Sequence, residues 1–482
     1  MSSKFDTNPG FILAAPKSGS GKTTLTSAFL QALKDRGLRV QAFKCGPDYI
    51  DPMFHRQIIG VNSKNLDPYF SDRDQLRALY AGEAGERDIA VLEGAMGLYD
   101  GLGGISEEAS AYQVARALHL PVILIVDAHG MGRSVIPLLA GFLQYDPEML
   151  IRGVILNRTT GGFYESIAPV IERELPIPVL GYFPNDPSLH LESRHLGLKL
   201  PGEIDDLRQQ TQKAAGMLGE CVQIDRLLQI TEAFCTDEAQ QYGCGTDPVE
   251  TPCPEADAKE ADTMTEDAKT TQRNVRIAVA TDEAFCFYYE DNLKLLEKLG
   301  AELVCFSPLH DEALPADIDG LILGGGYPEL YAGQLEQNES MRQSIREALL
   351  GDLPSLAECG GFMYLHERLT LRDGNTYQMC GVLPGDCTDI GKLVRFGYIA
   401  VTEKKACFLP EGQSIRGHEF HYFDSSANGG DCTAEKPVPQ KKWDCMHVTK
   451  RHWWGFPHLY YPSNEAFGEH FLAEARDFRR SE

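Results

Sequence analysis

Apolar residues in the first half of the chain come in short continuous runs, at 11–15, 39–44, 88–92, 122–127 and 153–157. Between the runs they recur three or four residues apart, as Leu25, Phe29 and Leu33 do after the first run. Continuous runs read as strands covered on both faces, and the spaced pattern reads as amphipathic helices. Strand and helix in alternation predict a doubly wound parallel sheet. From 231 to 273 the pattern lapses into polar and acidic sequence, EADAKEADTMTEDAK among it, which predicts a flexible connector. Order resumes with VRIAVA at 275–280, and a strand, a helix and further strands at 321–324 and 353–357 predict a second mainly parallel sheet flanked by helices. The expected organisation is an α/β domain over 1–230, a connector over 231–273 and a second α/β domain over 274–482.

Composition narrows the function classes. The 482 residues carry 45 Lys and Arg against 70 Asp and Glu, a net charge of -25. Such a field repels nucleic acid and anionic membrane surfaces, so neither is expected as a partner, and an anionic substrate needs a local basic pocket. The first ten residues lack the basic segment and apolar core of a signal peptide, and no apolar run approaches the ~18 residues of a membrane span, so a cytoplasmic protein is expected. The 13 cysteines are scattered without a C-x-x-C pair, which fits reduced thiols better than a disulfide framework or a zinc site.

The first strand runs into PKSGSGKTT and then a helix. This is the setting of a phosphate-binding loop: the amides around Gly19, Ser20, Gly21 and Thr24 and the Lys22 ammonium hold nucleotide phosphates, and the Thr23 hydroxyl reaches Mg²⁺. Pro16 stands where the general pattern has glycine. Lys17 sits where deviant loops of the partition and septum-site ATPases carry a second lysine, which can reach a neighbouring subunit's phosphate in a homodimer; the plainer reading is a solvated loop lysine. Asp48, Asp51, Asp67, Glu93 and Asp100 follow strand ends or turns, where a metal for ATP would be held, although a lone Asp is more often a turn former. Asn157, at a strand end, is placed to read an adenine edge. Arg194 and His195 supply local positive charge, or simply begin a surface helix.

In the second half the residues LAECGGFMYL outline a nucleophile elbow. Cys359 falls between a short strand and a helix, with the small residues Ala357 and Gly361 on either side, as a crowded, strained turn requires. The helix N-terminus favours a thiolate there; the alternative is a small buried hydrophobe. Upstream, LILGGGYPE ends a strand in glycines that can aim the amides of Gly325 and Gly326, together with that of Gly360, at an oxyanion. Downstream, His458 offers a general base, with His418 and His421 in RGHEFHYF as rivals. Elbow, glycine turn and late histidine, in that order, resemble a class I glutamine amidotransferase domain. Tyr460 occupies the place two residues after the histidine where such enzymes carry an acid.

The motifs APKSGSGKTT, FKCGPDYIDP, NLDP, EGAMGLYDG, ILNR and SRHLGL, followed by AFCFYYEDNL, GGGYPE, AECGGFMYL and RGHEFHYFD, resemble the cobyrinate a,c-diamide synthase family over nearly the whole chain outside the connector. The resemblance implies an ATP-binding half similar to dethiobiotin synthetase, with Asp48 and Glu93 serving Mg²⁺ beside Thr23. It also implies that Tyr49, Ile50, Asp51 and Asp100 shape the substrate pocket or phosphoryl transfer. Asn185 precedes Asp186 where many relatives have arginine. The expected activity is ATP-dependent amidation of the a and c acetates of cobyrinate with ammonia from glutamine. Nickel sirohydrochlorin and hydrogenobyrinate remain open as substrates for the same chemistry. The rival of another class is a nucleotide switch like the partition ATPases, carrying an inactive amidotransferase domain.

Overall fold

The structure is a computed structural model and describes residues 9–189, 201–242 and 274–481, with only the backbone at 201–204, 237–242 and 481. The first half is built on a seven-stranded sheet, β1 (Gly10–Ala14), β2 (Val40–Cys45), β3 (Ser63–Leu66), β4 (Ile89–Glu93), β5 (Val122–Asp127), β6 (Ile151–Asn157) and β7 (Val179–Phe183). Its order is β3-β2-β4-β1-β5-β6-β7, and every pairing is parallel. Successive side chains of a strand leave opposite faces. Ile12 and Ala14 of β1 enter one apolar layer and Phe11 and Leu13 the other, so both faces are covered and the strands need no polar side. The helix Lys22–Asp35 packs Leu25, Phe29 and Leu33 on the second layer, as their spacing predicts.

The helix Ile224–Tyr242 runs past residue 231, where the connector was expected to begin. Leu227, Thr231 and Cys235 are buried, because a face with few apolar residues still repeats at helical spacing. Described residues resume at 274.

The second half centres on a six-stranded sheet in the order Ala301–Phe306, Val275–Ala280, Gly320–Leu323, Ser355–Glu358, His452–Gly455, His447–Val448, parallel except for the last pairing. Beside it stands a five-stranded antiparallel sheet of Lys441–Cys445, Cys432–Lys436, Arg395–Glu403, Ser414–His421 and His458–Leu459. This antiparallel sheet stands in addition to the mainly parallel one expected from the sequence. Among the described residues no helix is long and apolar enough to cross a membrane.

The two halves meet on an aromatic cluster of Tyr49, Phe70, Tyr289 and Tyr460, with Tyr69, Phe287 and Tyr398 packed against it. Polar contacts fix the seam. Lys64 pairs with Asp291 at 2.9 Å, the Tyr398 hydroxyl donates to Asp67 at 2.9 Å, and Arg416 donates to the Tyr69 carbonyl at 2.7 Å.

Candidate active sites and the seam between them

At the end of β1 the chain turns through Gly19 and Gly21, at φ 75° and 88°, the left-handed region that glycine enters without penalty. The helix begins at Lys22. A Cβ on Gly21 would stand 2.3 Å from the Asn157 amide nitrogen. That nitrogen donates to the Ser20 carbonyl at 2.7 Å, and the Asn157 oxygen accepts the Arg158 N–H at 2.9 Å. Asn157 thus braces the loop through its amide nitrogen, while its oxygen is held by the next residue of its own chain segment. It lines a cavity of about 570 Å³ together with Gly21, Thr24, Asp127, Phe183 and Asn185. The volume suits a nucleotide-sized ligand.

Lys22 is buried and donates to the Met96 carbonyl; burial pulls its pKa down to about 8 against the opposing pull of Glu93. Asp100 accepts the Gly97 N–H at 2.9 Å and so shapes the turn facing Lys22. Thr23 donates to Glu93 at 2.7 Å. Lys17 is exposed. Its carbonyl accepts from the Ser20 hydroxyl at 3.0 Å.

Lys44 joins the acidic cluster, although the sequence marks it only as a charged strand end. It reaches from β2 into the acidic group expected to bind metal, bonding Asp51, Glu93 at 2.9 Å and, more distantly, Asp48 at 3.8 Å. Burial opposes its charge, but the three carboxylates outweigh burial and hold the ammonium protonated well above the usual lysine range. The same Lys44 depresses Asp51 against burial. Burial, then repulsion from Asp51, lifts Glu93 to about 7 and Asp48 to about 6. His55 is buried and pushed down to about 4 by desolvation, with Nε2 3.9 Å from Glu93.

Among the described residues Glu93 Oε2 is buried without a hydrogen-bond partner, while Oε1 already takes Thr23 and Lys44. Thr23 and the Glu93 carboxylate are donors of the kind Mg²⁺ takes together with a nucleotide's phosphates, and among the described residues no three acidic, histidine or cysteine side chains are grouped to hold a metal by themselves. Asp48 presently spends one oxygen on the Ile50 and Asp51 amides, at 2.8 and 3.2 Å. Ile50 packs against the apolar layer. Arg194 and His195 lie outside the described residues.

Cys359 sits at φ 45°, ψ -101°, a strained conformation for a residue with a Cβ, between the strand Ser355–Glu358 and the helix Gly360–Leu365. A Cβ on Gly361 would stand 2.1 Å from the Leu323 carbonyl, so the small residue after the elbow is a steric requirement. The Cys359 amide bonds the Gly455 carbonyl at 2.9 Å, and the Gly360 amide bonds the thiol. The expected thiolate is not favoured at rest. The thiol is buried, and desolvation, reinforced by the charge of Glu329, raises its pKa; the dipole of a six-residue helix does not offset that.

His458 lies over the glycine turn, since a Cβ on Gly325 would stand 2.3 Å from its Cε1. Gly326 approaches the elbow, its amide nitrogen 3.0 Å from where a Gly360 Cβ would be. Burial, then His418 and His421, holds the His458 ring neutral well below the usual imidazole range. At rest the cysteine is therefore a thiol and the histidine a neutral imidazole.

The rivals separate. His418 faces His458 across the antiparallel pairing, ring centroids 5.0 Å apart, and its Nδ1 bonds the Tyr289 hydroxyl at 3.0 Å. His421 turns away to bond the Phe423 carbonyl and stack on Phe456. Tyr460 points into the seam, stacked on Phe70 and bonded to Asp291 at 3.2 Å, and the His458 Nδ1 has no hydrogen-bond partner among the described residues.

A parallel sheet with a phosphate loop, joined to a second sheet with a cysteine elbow and a histidine, defines a glutamine amidotransferase fused to a nucleotide-binding domain. A family model described as the CobQ/CobB/MinD/ParA nucleotide binding domain matches residues 11–198, and one described as a CobB/CobQ-like glutamine amidotransferase domain matches residues 276–448. The chain is 37% identical over 476 residues to the cobyrinate a,c-diamide synthase of Caldanaerobacter subterraneus subsp. tengcongensis, covering 98% of this chain and 99% of that one. It is 41% identical over 417 residues to that of Listeria innocua, covering 85% and 86%, and 38% identical over 417 residues to that of Priestia megaterium, covering 86% and 85%. The chain belongs to the cobyrinate a,c-diamide synthase family.

Proposed function

We propose that the protein amidates the a and c acetate carboxylates of cobyrinate, each at the expense of one ATP and one glutamine. The observation that carries the reading is that the turn bearing Asp48 and Asp51, whose carboxylates share Lys44 with Glu93, packs through Tyr49 on His458 beside the cysteine elbow. In the amidotransferase half, Cys359 Sγ attacks the glutamine side-chain carbonyl as its proton passes to His458. The oxyanion faces the amides of Gly325, Gly326 and Gly360. His458 returns the proton to the leaving nitrogen; ammonia departs, and water hydrolyses the thioester to glutamate.

In the synthetase half, a substrate carboxylate oxygen attacks the γ-phosphoryl group of ATP, and ADP leaves. Lys22 and the amides from Gly19 to Thr24 hold the phosphates. Thr23, Asp48 and Glu93 would hold Mg²⁺, which draws charge from the phosphoryl group in transfer. Lys44 keeps Asp51 ionised and fixes the acidic cluster. Ammonia then attacks the acyl phosphate, the amide forms and phosphate leaves. Tyr49, Ile50, Asp51 and Asp100 border the carboxylate, and Arg194 and His195 offer positive charge to the other carboxylates. The reading places the chemistry in the cytoplasm, where thiols stay reduced. A homodimer would bring Lys17 to a neighbouring subunit's phosphate.

The test incubates the protein with ATP, glutamine or ammonium salt, and each of cobyrinate, hydrogenobyrinate and nickel sirohydrochlorin, and weighs the products. Cys359→Ala is expected to lose amidation from glutamine and keep it from ammonium, whereas Lys22→Ala loses both. A Cys359→Ala protein that still releases glutamate from glutamine would overturn the division of labour.

A further inference from the structure

The antiparallel sheet of the second half turns one face to the seam and carries that face on into solvent. Phe396 and Phe420 oppose each other in the pairing of Arg395–Glu403 with Ser414–His421, next on the same face to the opposed pair Tyr398 and His418. The inner pair is covered. Tyr398 donates to Asp67, and a Cβ on Gly46 would stand 3.6 Å from its hydroxyl, while His418 lies against Tyr49. The outer pair is not: Phe396 and Phe420 are 55% and 48% exposed with ring centroids 5.8 Å apart, and Tyr422, 40% exposed, stands edge-on to Phe420 at 5.7 Å. Ile390 and Leu393, also exposed, come from the adjoining loop, whose Ile390 and Val394 amides bond the carbonyls of Tyr422 and His421. Five of the eleven exposed large apolar side chains among the described residues therefore come from two adjoining segments, which marks a binding surface rather than scattered apolar surface.

This surface has positive charge beside it in an acidic chain. The Lys436 ammonium stands 5.9 Å from the Phe396 ring centroid and donates to the Phe396 carbonyl at 2.7 Å, and Lys441 is directly opposite Lys436 on the neighbouring strand. Like charges opposed in a sheet repel, and burial, then Lys441, lowers the Lys436 pKa. Among the described residues neither lysine pairs with a carboxylate, because the adjoining Glu435 is taken by Lys442 at 2.9 Å. An anion would relieve the repulsion. The turn between these two lysines also reaches the synthetase half: a Cβ on Gly103, just past Asp100, would stand 2.8 Å from the Val438 side chain. The turns given above to the reacting carboxylate thus flank the inner side of the aromatic face.

We propose that this face is the platform for the macrocycle of the tetrapyrrole substrate, with Phe396, Phe420 and Tyr422 against the ring and Lys436 and Lys441 on its rim carboxylates. The amidotransferase half then presents the acetate to the synthetase half as well as making ammonia for it. A macrocycle, apolar across its face and anionic round its rim, matches both features, whereas a protein partner takes roughly 20–30 residues a side. The proposal rests on the amidation reading above.

The test measures the Kd of cobyrinate by equilibrium dialysis, followed by its visible absorbance, and its KM and kcat with ATP and ammonium salt, which leaves glutamine hydrolysis out of the assay. In Phe396→Ala/Phe420→Ala, Kd and KM are expected to rise about ten-fold or more with kcat within about two-fold, the signature of lost substrate binding. Phe396→Tyr/Phe420→Tyr keeps both rings and should bind as the wild type does. Lys436→Glu should weaken cobyrinate about ten-fold but not its full methyl ester, which has no rim charge, and it serves if the double alanine variant does not fold. Unchanged Kd and KM in the alanine variant, or in Lys436→Glu where it stands in, would overturn the platform and leave the amidation reading standing. If the alanine variant with unchanged Kd also sediments as a smaller species than the wild type, the face belongs to a second copy of the chain instead. A wild-type protein that forms no amide from cobyrinate, hydrogenobyrinate or nickel sirohydrochlorin would overturn the amidation reading itself.

Discussion

Replacing Lys44 with methionine keeps the length of the side chain and removes its charge from among three carboxylates. Its side chain and those of Asp51 and Glu93 are 7%, 5% and 0% exposed, so solvent cannot take over the missing charge. Leaving a buried carboxylate without its partner costs about 3–5 kcal/mol. The variant can escape that cost by protonating Asp51, whose ordinary pKa is 3.8. At about 1.4 kcal/mol per pH unit, the escape costs about 2 kcal/mol at pH 5.5 and about 6 kcal/mol at pH 8. Loss of stability is therefore capped near ~2 kcal/mol at pH 5.5, while the full ~3–5 kcal/mol applies at pH 8. The sign follows from proton binding: the folded variant holds a proton that the unfolded chain has released, so its stability falls as pH rises. Calorimetric melting of the full chain, with the synthetase transition identified by its shift with ATP, reads the effect. At ~2–4 °C per kcal/mol, the melting temperature should drop by roughly 6–20 °C at pH 8 and by less than about 8 °C at pH 5.5. An equal drop at both pH values, or none at pH 8, would refute the account of Lys44 as the charge that holds the acidic cluster together.

Gly325→Ala puts a methyl group 2.3 Å from His458 Cε1 and must displace the base, so glutamine hydrolysis should fall by about 10²–10⁴-fold with ammonium-dependent amidation retained, as product analysis with the two nitrogen donors checks. Asp67 is buried beneath Tyr398, and burial raises its carboxyl from 3.8 to about 7. The folded protein then holds a proton that the unfolded chain loses, so this contribution is fully present below about pH 4 and is lost as pH rises to about 7, a fall of at most about 4 kcal/mol. Asp67→Asn should flatten the melting temperature against pH over that interval, and an unchanged slope would show that Asp67 does not titrate there.

What could be read in the sequence was local. The phosphate loop and the elbow are each set by a few adjacent residues whose small side chains and turn conformations are needed in any fold, and the strands of the first sheet announce themselves by burial on both faces. Lys44 was missed because VQAFKC reads as a strand with a charged end, and its partners stand 7 and 49 residues away. The only hint was a lysine directly before CGPD in an otherwise apolar run. The antiparallel sheet from 395 to 459 escaped because its strands are half-exposed and interrupted by turns, so their alternation is weak. The thiolate expectation failed for a different reason. Spacing identified the helix start beneath Cys359, but not the depth of burial that outweighs it.

The order in which the chain emerges during synthesis also matters. The Cys359 amide is tied to Gly455, and His458, proposed above as its base, belongs to a strand beyond that, so an elbow translated without them has neither its backbone partner nor that proposed proton acceptor. Domains fold N-terminal first at ~5–20 residues per second, so the proposed nucleophile waits roughly 5–20 s for its proposed base. By then the phosphate loop, Lys44 and the Tyr49 turn have long left the ribosome. A nascent chain therefore cannot begin to waste cellular glutamine before the half that consumes ammonia has had time to fold, and a truncated product ending short of His458 is silent in the same way.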